Sequence, residues 1–227
     1  RKTANAMFGN AASVLVGDFL YSRAFQMMVS TNRLRVMDVL AEATNIIAEG
    51  EVLQLMNMHD PDISVEDYLR VIEYKTAKLF EASARLGALI TDASPEVEEA
   101  CAAYGRALGT AFQLIDDLLD YEGSTEELGR NIGDDLREGK PTLPLLAAME
   151  RGTPAQREMI RQAIINGEVE RMPDIVAVVK ETGALEVTRA AAQAQAELAK
   201  QCLEALPASE YKQALLQLSF DSIHRSS

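Results

Sequence analysis

The chain has 227 residues, of which 48% are hydrophobic and 25% are charged, and its formal net charge is −13. This composition suits a single domain with a sizeable core, and it contains no run of about 18 apolar residues that would span a membrane. The acidic balance argues against nucleic acid as a partner, since binding to phosphate backbones needs a basic surface. Cys101 and Cys202 lack the spacing of a disulfide framework or zinc site, and no signal peptide opens the chain, so we expect a cytoplasmic protein.

Nearly the whole chain has hydrophobic residues at a period near 3.6, which predicts an all-α fold. The predicted helices are 4–29, 32–58, 64–91, 95–122, 142–151, 154–166, 172–181, 183–205 and 208–225. Ser64 with Asp67, and Ser94 before Pro95, are typical of helix N-termini. Because the first four helices are long, we expect a helical bundle.

Two of these helices carry polar residues within their core-facing stripes. Lys75 lies in the apolar stripe of helix 64–91, next to Thr76, and Glu51 interrupts the stripe of helix 32–58, with Gln54 one turn further on. The lysine side chain either packs its stem and reaches water, or points its ammonium into an internal cleft to meet an anion. Buried structural hydrogen bonds are the commoner explanation for the glutamate and glutamine, but together the four residues suggest a polar site within the bundle.

An aspartate cluster stands near the end of the predicted fourth helix, in the stretch FQLIDDLLDYEG. At ~100° per residue, Asp116, Asp120, Gln113 and Asp117 fall within about one 100° arc, opposite the apolar residues. A solvated acidic face would be the simple interpretation. However, like charges at i,i+4 repel, and acids near a helix C-terminus oppose the helix dipole. A bound cation would relieve both costs, and oxygen ligands without histidine point to Mg²⁺.

The segment 123–144 carries glycines at 123, 129, 133 and 139 and is predicted to be an ordered functional loop. Its stretch GDDLREGKPT is not a P-loop, because the glycine spacing is wrong and Pro141 stands where Ser or Thr is required. The loop places Asp134, Asp135 and Lys140 just after the aspartate cluster. Lys140 would then close over a phosphate as a point charge, unless it is an ordinary solvated lysine.

Taken together, the stretches FGNAASVLVGDFLYSRAF, EYKTAKLFEA, GTAFQLIDDLLD and GDDLREGKPTLPLL resemble the trans-type polyprenyl diphosphate synthases. The resemblance covers most of the chain and is strongest from 3 to 147. It implies an isoprenoid synthase helical bundle around a central apolar cavity, usually a homodimer. It also implies a prenyltransferase that condenses an allylic diphosphate, such as farnesyl diphosphate, with successive isopentenyl diphosphates. The product would be a long-chain trans-polyprenyl diphosphate of the octaprenyl type, destined for quinone side chains and handed to the membrane.

The resemblance assigns roles to individual residues. Asp116, Asp117 and Asp120 match the second aspartate-rich motif, with Asp116 as the direct Mg²⁺ ligand and Asp120 supporting it. Lys75 and Thr76 match the pair that holds the allylic diphosphate. Three further positions bind substrate by the same comparison: Gln113, Lys140 and Arg1. Of all these residues, Lys75, Asp116 and Lys140 are the predicted catalytic set.

Two departures from the family pattern stand out. The family carries an earlier Asp-Asp-x-x-Asp motif followed by an arginine pair, whereas this chain opens at RKTANAMFGN, with Arg1 as the candidate remnant of that pair. We therefore expect 1–227 to be a single domain that lacks its N-terminal helices and first motif, and to be inactive as such. The second departure is Asp134, which stands where many relatives have lysine and which puts a phosphate contact there in doubt.

The reaction needs a dry site because water would quench an allylic cation. We expect apolar side chains of the first two helices to line a tunnel for the growing chain: Val14, Leu15, Phe19, Phe25, Met27, Met28, Leu53 and Met56. Two alternatives stay open: a non-catalytic regulatory subunit of the same fold, and a terpene cyclase that does not consume isopentenyl diphosphate. A di-iron carboxylate bundle is excluded, because Asp221 with His224 is the nearest match to its paired Glu-x-x-His pattern.

Overall fold

The computed structural model describes residues 3–122, 133–168 and 170–224, and every regular element within these ranges is helical. The all-α prediction is therefore confirmed. The elements are α1 (Ala4–Ser30), α2 (Leu34–Asn57), α3 (Val65–Ile72), a π-helical segment (Glu73–Ala77), α4 (Lys78–Ile90), α5 (Pro95–Glu122), α6 (Asp134–Arg137), α7 (Leu143–Arg151), α8 (Pro154–Asn166), α9 (Met172–Glu181), α10 (Ala184–Cys202), a 3₁₀ turn (Leu203–Ala205) and α11 (Glu210–His224). The predicted contact of Arg1, and the loop residues 123–132, lie outside the described residues.

The chain divides into two compact units, Arg1–Glu42 and Ala43–Ser227, with the boundary inside α2. In the first unit, α1 begins at its N-cap Thr3, whose side chain accepts the Ala6 N–H. Five of the residues that we expected to line a tunnel are exposed on α1: Val14, Leu15, Phe19, Phe25 and Met27. Met28 is buried, whereas Met56 on α2 is exposed. The tunnel lining stays a prediction.

In the second unit, α5 is the central helix and packs against α4 and α10. Its apolar face supplies fully buried side chains to the main core, among them Leu114, Ile115 and Leu118. Gly105 allows the close approach of α4, because a Cβ atom there would lie 2.3 Å from the Phe80 carbonyl oxygen. No described helix is both long and apolar enough to cross a membrane.

The helix predicted over 64–91 is interrupted where the functional residues stand. It begins as predicted at Ser64, whose hydroxyl accepts the Asp67 N–H at 3.0 Å. At Glu73 it widens into one π-helical turn that contains Lys75 and Thr76, and it continues as α4 from Lys78. Periodicity does not reveal such a turn, since it shifts the helical register without changing residue types. Single π-helical turns occur frequently at functional sites.

Candidate active site

A cavity of about 270 Å³ lies in the second unit, at the place where the π-helical segment faces α5. It is bounded by the C-terminal end of α2, by α3 and the π-helical segment, by α5 and by the turn that follows α6. Its lining is a mixture of charged, polar and apolar side chains. The lining residues are Gln54, Asn57, Ile63, Tyr68, Val71, Ile72, Lys75, Thr76, Gln113, Asp116, Asp117, Asp135, Lys140, Pro141 and Thr142.

Lys75 reaches this cavity from the π-helical segment, and its ammonium is held by α2. Its Nζ donates to Gln54 Oε1 at 3.0 Å and lies 3.2 Å from Glu51 Oε2. The lysine side chain is 31% exposed. The polar site suggested by Glu51, Gln54 and Lys75 in the sequence is therefore present, and these three residues belong to it together.

Thr76 begins a chain of hydrogen bonds that crosses to the aspartate cluster. Its hydroxyl donates to Gln113 Oε1 at 3.1 Å, and Gln113 Nε2 donates to Asp117 Oδ1 at 2.8 Å. The second oxygen of Asp117 accepts the Tyr68 hydroxyl at 2.6 Å. Both oxygens of this buried carboxyl are thus fixed by neutral donors, which sets its orientation towards the cavity.

The acidity of Asp117 is strongly perturbed. Burial and the neighbouring charges of Asp135 and Asp116 raise its pKa to about 7, against the lowering effect of the hydrogen bonds from Tyr68 and Gln113. The pKa of the Tyr68 phenol is also raised, by its own burial and by the charge of Asp117. Several carboxylates therefore share a poorly solvated space, where a cation would be favoured.

Asp120 has a different role from Asp116 and Asp117. It is 3% exposed and is not part of the cavity lining. Its Oδ1 accepts the Asp134 N–H at 3.3 Å and its Oδ2 accepts the Asp135 N–H at 3.2 Å, while its carbonyl oxygen accepts the Gly133 N–H at 3.1 Å. Asp120 therefore fixes the turn at the start of α6, which directs Asp135 to the cavity.

Lys140 follows that turn and also lines the cavity. Its Nζ lies 2.6 Å from Glu138 Oε2 and 3.4 Å from Asp135 Oδ1. Burial lowers its pKa, but the hydrogen bond that Lys140 donates to Glu138 and the charge of Asp135 outweigh this effect, so the pKa of Lys140 is raised. The lysine is consequently a permanent cation at neutral pH, as contact with phosphate requires.

The structure gathers six of the predicted site residues at the cavity: Lys75, Thr76, Gln113, Asp116, Asp117 and Lys140. Asp120 lies behind the lining, and Asp134 forms an ion pair with Arg137 instead of facing the cavity. The sequence analysis did not single out Tyr68. A signal was available in the sequence: Tyr68 stands seven positions before Lys75 and so lies on the same side of the predicted helix. Its hydroxyl could therefore have been assigned to the same polar site.

The donor set of the cavity fits a hard divalent cation. Asp116, Asp117 and Asp135 supply only carboxylate oxygens, which are the ligands that Mg²⁺ and Ca²⁺ prefer. Within the described ranges, however, no three such side chains converge closely enough to form a complete ligand set. A bound ion would therefore draw its remaining ligands from water or from the phosphate oxygens of a substrate.

Comparison with known proteins identifies the family. The sequence model of the family described as Polyprenyl synthetase matches residues 1–181. The octaprenyl diphosphate synthase of Escherichia coli (strain K12) is 54% identical over 226 residues, which are 99% of this chain and 70% of that protein. The all-trans-nonaprenyl-diphosphate synthase (geranyl-diphosphate specific) of Rhodobacter capsulatus is 45% identical over 96% of this chain and 67% of its own length.

Solved structures agree with the sequence relatives. The polyprenyl synthase of Caulobacter crescentus CB15, complexed with calcium and isoprenyl diphosphate, superposes with a TM-score of 0.93 at 44% identity, over 99% of this chain and 69% of that one. A decaprenyl diphosphate synthase from Rhodobacter capsulatus gives a TM-score of 0.91 at 41% identity, over 100% of this chain and 70% of that one. The chain therefore belongs to the polyprenyl synthetase family, and it is a prenyltransferase of the long-chain trans-polyprenyl diphosphate synthase type.

Proposed function

We propose that this prenyltransferase extends farnesyl diphosphate with successive isopentenyl diphosphates to an octaprenyl diphosphate, which supplies quinone side chains. The observation that carries the proposal is the cavity itself, whose lining combines Lys75 and Lys140 with Asp116, Asp117 and Asp135. Cations and carboxylates in one poorly solvated space suit a ligand that combines phosphate groups with divalent ions. A long-chain product is favoured because similar proteins are named octaprenyl and nonaprenyl diphosphate synthases.

The two lysines bind the diphosphate of the allylic substrate and neutralise the charge that it gains on leaving. When the allylic carbon–oxygen bond breaks, pyrophosphate departs with the electron pair, and the ammonium groups of Lys75 and Lys140 stabilise that negative charge. The Thr76 hydroxyl and the Gln113 side-chain amide orient the diphosphate of the allylic substrate. The double bond of isopentenyl diphosphate then attacks the allylic cation, and the proton lost in forming the new alkene goes to the departing pyrophosphate.

Mg²⁺ is the proposed metal, held by Asp116 directly and by Asp117 and Asp135 around it. A bound Mg²⁺ supplies Lewis-acid stabilisation of the diphosphate oxygens. Asp120 supports the site indirectly, because it holds the turn that places Asp135. This division of roles accounts for the different hydrogen-bond partners of Asp117 and Asp120.

We also propose that the enzyme is a homodimer in the cytoplasm and hands its apolar product to a membrane. The exposed apolar side chains of α1, such as Leu15 and Phe19, form the kind of surface that a partner subunit covers. Cys101 and Cys202 are free thiols, as is usual in a reducing compartment. Sedimentation of the full-length protein would reveal a monomer if the dimer proposal is wrong.

The decisive experiment incubates the full-length protein with farnesyl diphosphate, isopentenyl diphosphate and Mg²⁺ and then measures the chain length of the products. Long trans-polyprenyl chains are expected. Consumption of farnesyl diphosphate without isopentenyl diphosphate would instead indicate a terpene cyclase, and no consumption of either would indicate a regulatory subunit.

Two substitutions test the residue assignments. Asp116→Ala and Lys75→Ala are each expected to lower kcat/KM by roughly a hundredfold or more, since each removes a charged group that stabilises the leaving pyrophosphate. Matched controls on the surface are Asp221→Ala and Lys200→Ala, which lie on α11 and α10 and should leave kcat/KM unchanged. Near-normal turnover of Asp116→Ala would show that the metal assignment is wrong.

A further inference from the structure

The ammonium of Lys75 takes both of its described partners from a single turn of α2. Glu51 Oε2 lies 3.2 Å away, and Gln54 Oε1 accepts at 3.0 Å. The two residues are three positions apart and therefore lie on the same face of the helix. Glu51 and Gln54 thus form a cradle on α2 for the ammonium of Lys75, which belongs to the π-helical segment.

The backbones of α2 and the π-helical segment approach each other closely beside the cradle. A Cβ atom at Gly50 would lie 2.7 Å from the Lys75 backbone nitrogen and 2.9 Å from Tyr74 Cβ. Any larger residue at position 50 would force the two elements apart. This contact places the backbone of Glu51, the next residue along α2, close to the lysine that its side chain meets.

Lys75 and Gln54 line the cavity, whereas Glu51 does not. An ammonium has three N–H donors, and two of them are directed to the cradle, which leaves the third for a ligand in the cavity. A free lysine side chain loses considerable rotamer entropy when it binds a ligand. A lysine already fixed by the protein has lost that entropy on folding and binds at a lower cost.

We propose that Glu51, together with Gln54, is a positioning residue that preorganises Lys75 for the diphosphate. Glu51 touches neither substrate nor metal and acts only through the lysine. This inference rests on the proposed function, since it gives Lys75 the role of a diphosphate ligand. It adds Glu51 of α2 to the residues on which the site depends. It also gives a reason for the close backbone contact at Gly50, which brings α2 next to Lys75.

The test is calorimetric titration of the full-length protein with inorganic pyrophosphate in the presence of Mg²⁺, which needs no turnover. Glu51→Ala removes the contact and is expected to weaken binding roughly three- to fivefold, the scale of a half-exposed ion pair. Glu51→Gln keeps an oxygen acceptor and should bind as tightly as the wild type or more tightly. The control is Glu49→Ala, because Glu49 on the same helix accepts from Asn45 and is not a partner of Lys75.

Repeating the Glu51→Ala substitution in a variant without the Lys75 ammonium distinguishes a positioning role of Glu51 from a general loss of structure. In Lys75→Met, which lacks the ammonium, adding Glu51→Ala should no longer weaken binding. Thermal unfolding midpoints of the variants within a degree or two of one another would exclude misfolding as the cause. If Glu51→Ala binds pyrophosphate as tightly as the wild type, or weakens it equally in Lys75→Met, the positioning role is overturned. If Lys75→Met alone binds pyrophosphate as tightly as the wild type, Lys75 is not a diphosphate ligand. That result would contradict the proposed function itself, and not only the positioning role of Glu51.

Discussion

Replacing Gly109 by alanine should disturb both the packing of α5 and the candidate active site. Gly109 lies in α5, and a Cβ atom there would stand 2.7 Å from Ala77 Cα and 3.0 Å from Phe80 Cβ. Ordinary contact begins at 3.4 Å, so α5 and the π-helical segment must separate locally by about 0.7 Å. The Thr76–Gln113 hydrogen bond crosses the same interface and would lengthen from 3.1 Å to about 3.8 Å, beyond hydrogen-bonding range.

The expected loss of stability follows from two opposing terms. Overpacking against backbone costs about 1–3 kcal/mol, while replacing glycine by alanine within a helix contributes about 0.5–1 kcal/mol. A net loss of about 1–2 kcal/mol should lower the melting temperature by about 2–8 °C for a chain of this size. The KM for the allylic diphosphate should rise, because Gln113 loses one of the two hydrogen bonds that orient it.

Circular dichroism melts and steady-state kinetics measure these two effects. The matched control is Gly87→Ala on α4, where a new Cβ atom would meet nothing within 4 Å. That variant should be more stable than the wild type by about 0.5–1 kcal/mol, with its KM unchanged. The packing argument is refuted if Gly109→Ala melts as high as Gly87→Ala.

Two further predictions concern acidity and the turn before Lys140. The pKa of Asp117 is raised to about 7 in the folded chain, so its contribution to stability is full below about pH 4 and is lost as the pH rises through 7. Without divalent ions, urea unfolding should show this decline between about pH 4 and 7, and Asp117→Asn should abolish it; an equally steep decline in the variant would contradict the assignment. At Gly139, with φ at +73°, alanine would bring a Cβ atom to 2.4 Å from the His59 ring, whereas at Gly183, with φ at +71°, the nearest contact would be 3.6 Å. Gly139→Ala should therefore lose more stability than Gly183→Ala and should also weaken pyrophosphate binding, and equal losses in the two variants would show that the ring contact is unimportant.

Much of the fold follows from local patterns. The helix that begins at Ser64 is determined by its N-cap and by apolar residues at helical spacing, and both signals lie within a few neighbouring residues. The unusual character of Lys75 was also visible, because a charge within an apolar stripe needs a partner. The partner itself was only suggested, since Glu51 lies on another helix.

The distinction between the aspartates could not be read from spacing. Asp117 and Asp120 are equally buried at 3% exposure and lie on nearly the same arc of α5. Asp117 meets Tyr68 and Gln113 and faces the cavity, whereas Asp120 accepts two N–H groups from the turn at Asp134 and Asp135. The two aspartates differ because a different distant segment of the chain packs against each: α3 against Asp117, and the turn at the start of α6 against Asp120.

The sequence by itself determined an all-helical chain, the positions of most helix ends and the residue types from which a diphosphate and metal site is built. These properties depend on interactions within one or two helical turns, so they are encoded locally. The tertiary structure alone decided the π-helical turn under Lys75, the cradle from α2, and which carboxylates face the cavity. Each of these depends on backbone approaches between segments far apart in the chain, where tenths of an ångström at a glycine decide which side chains meet.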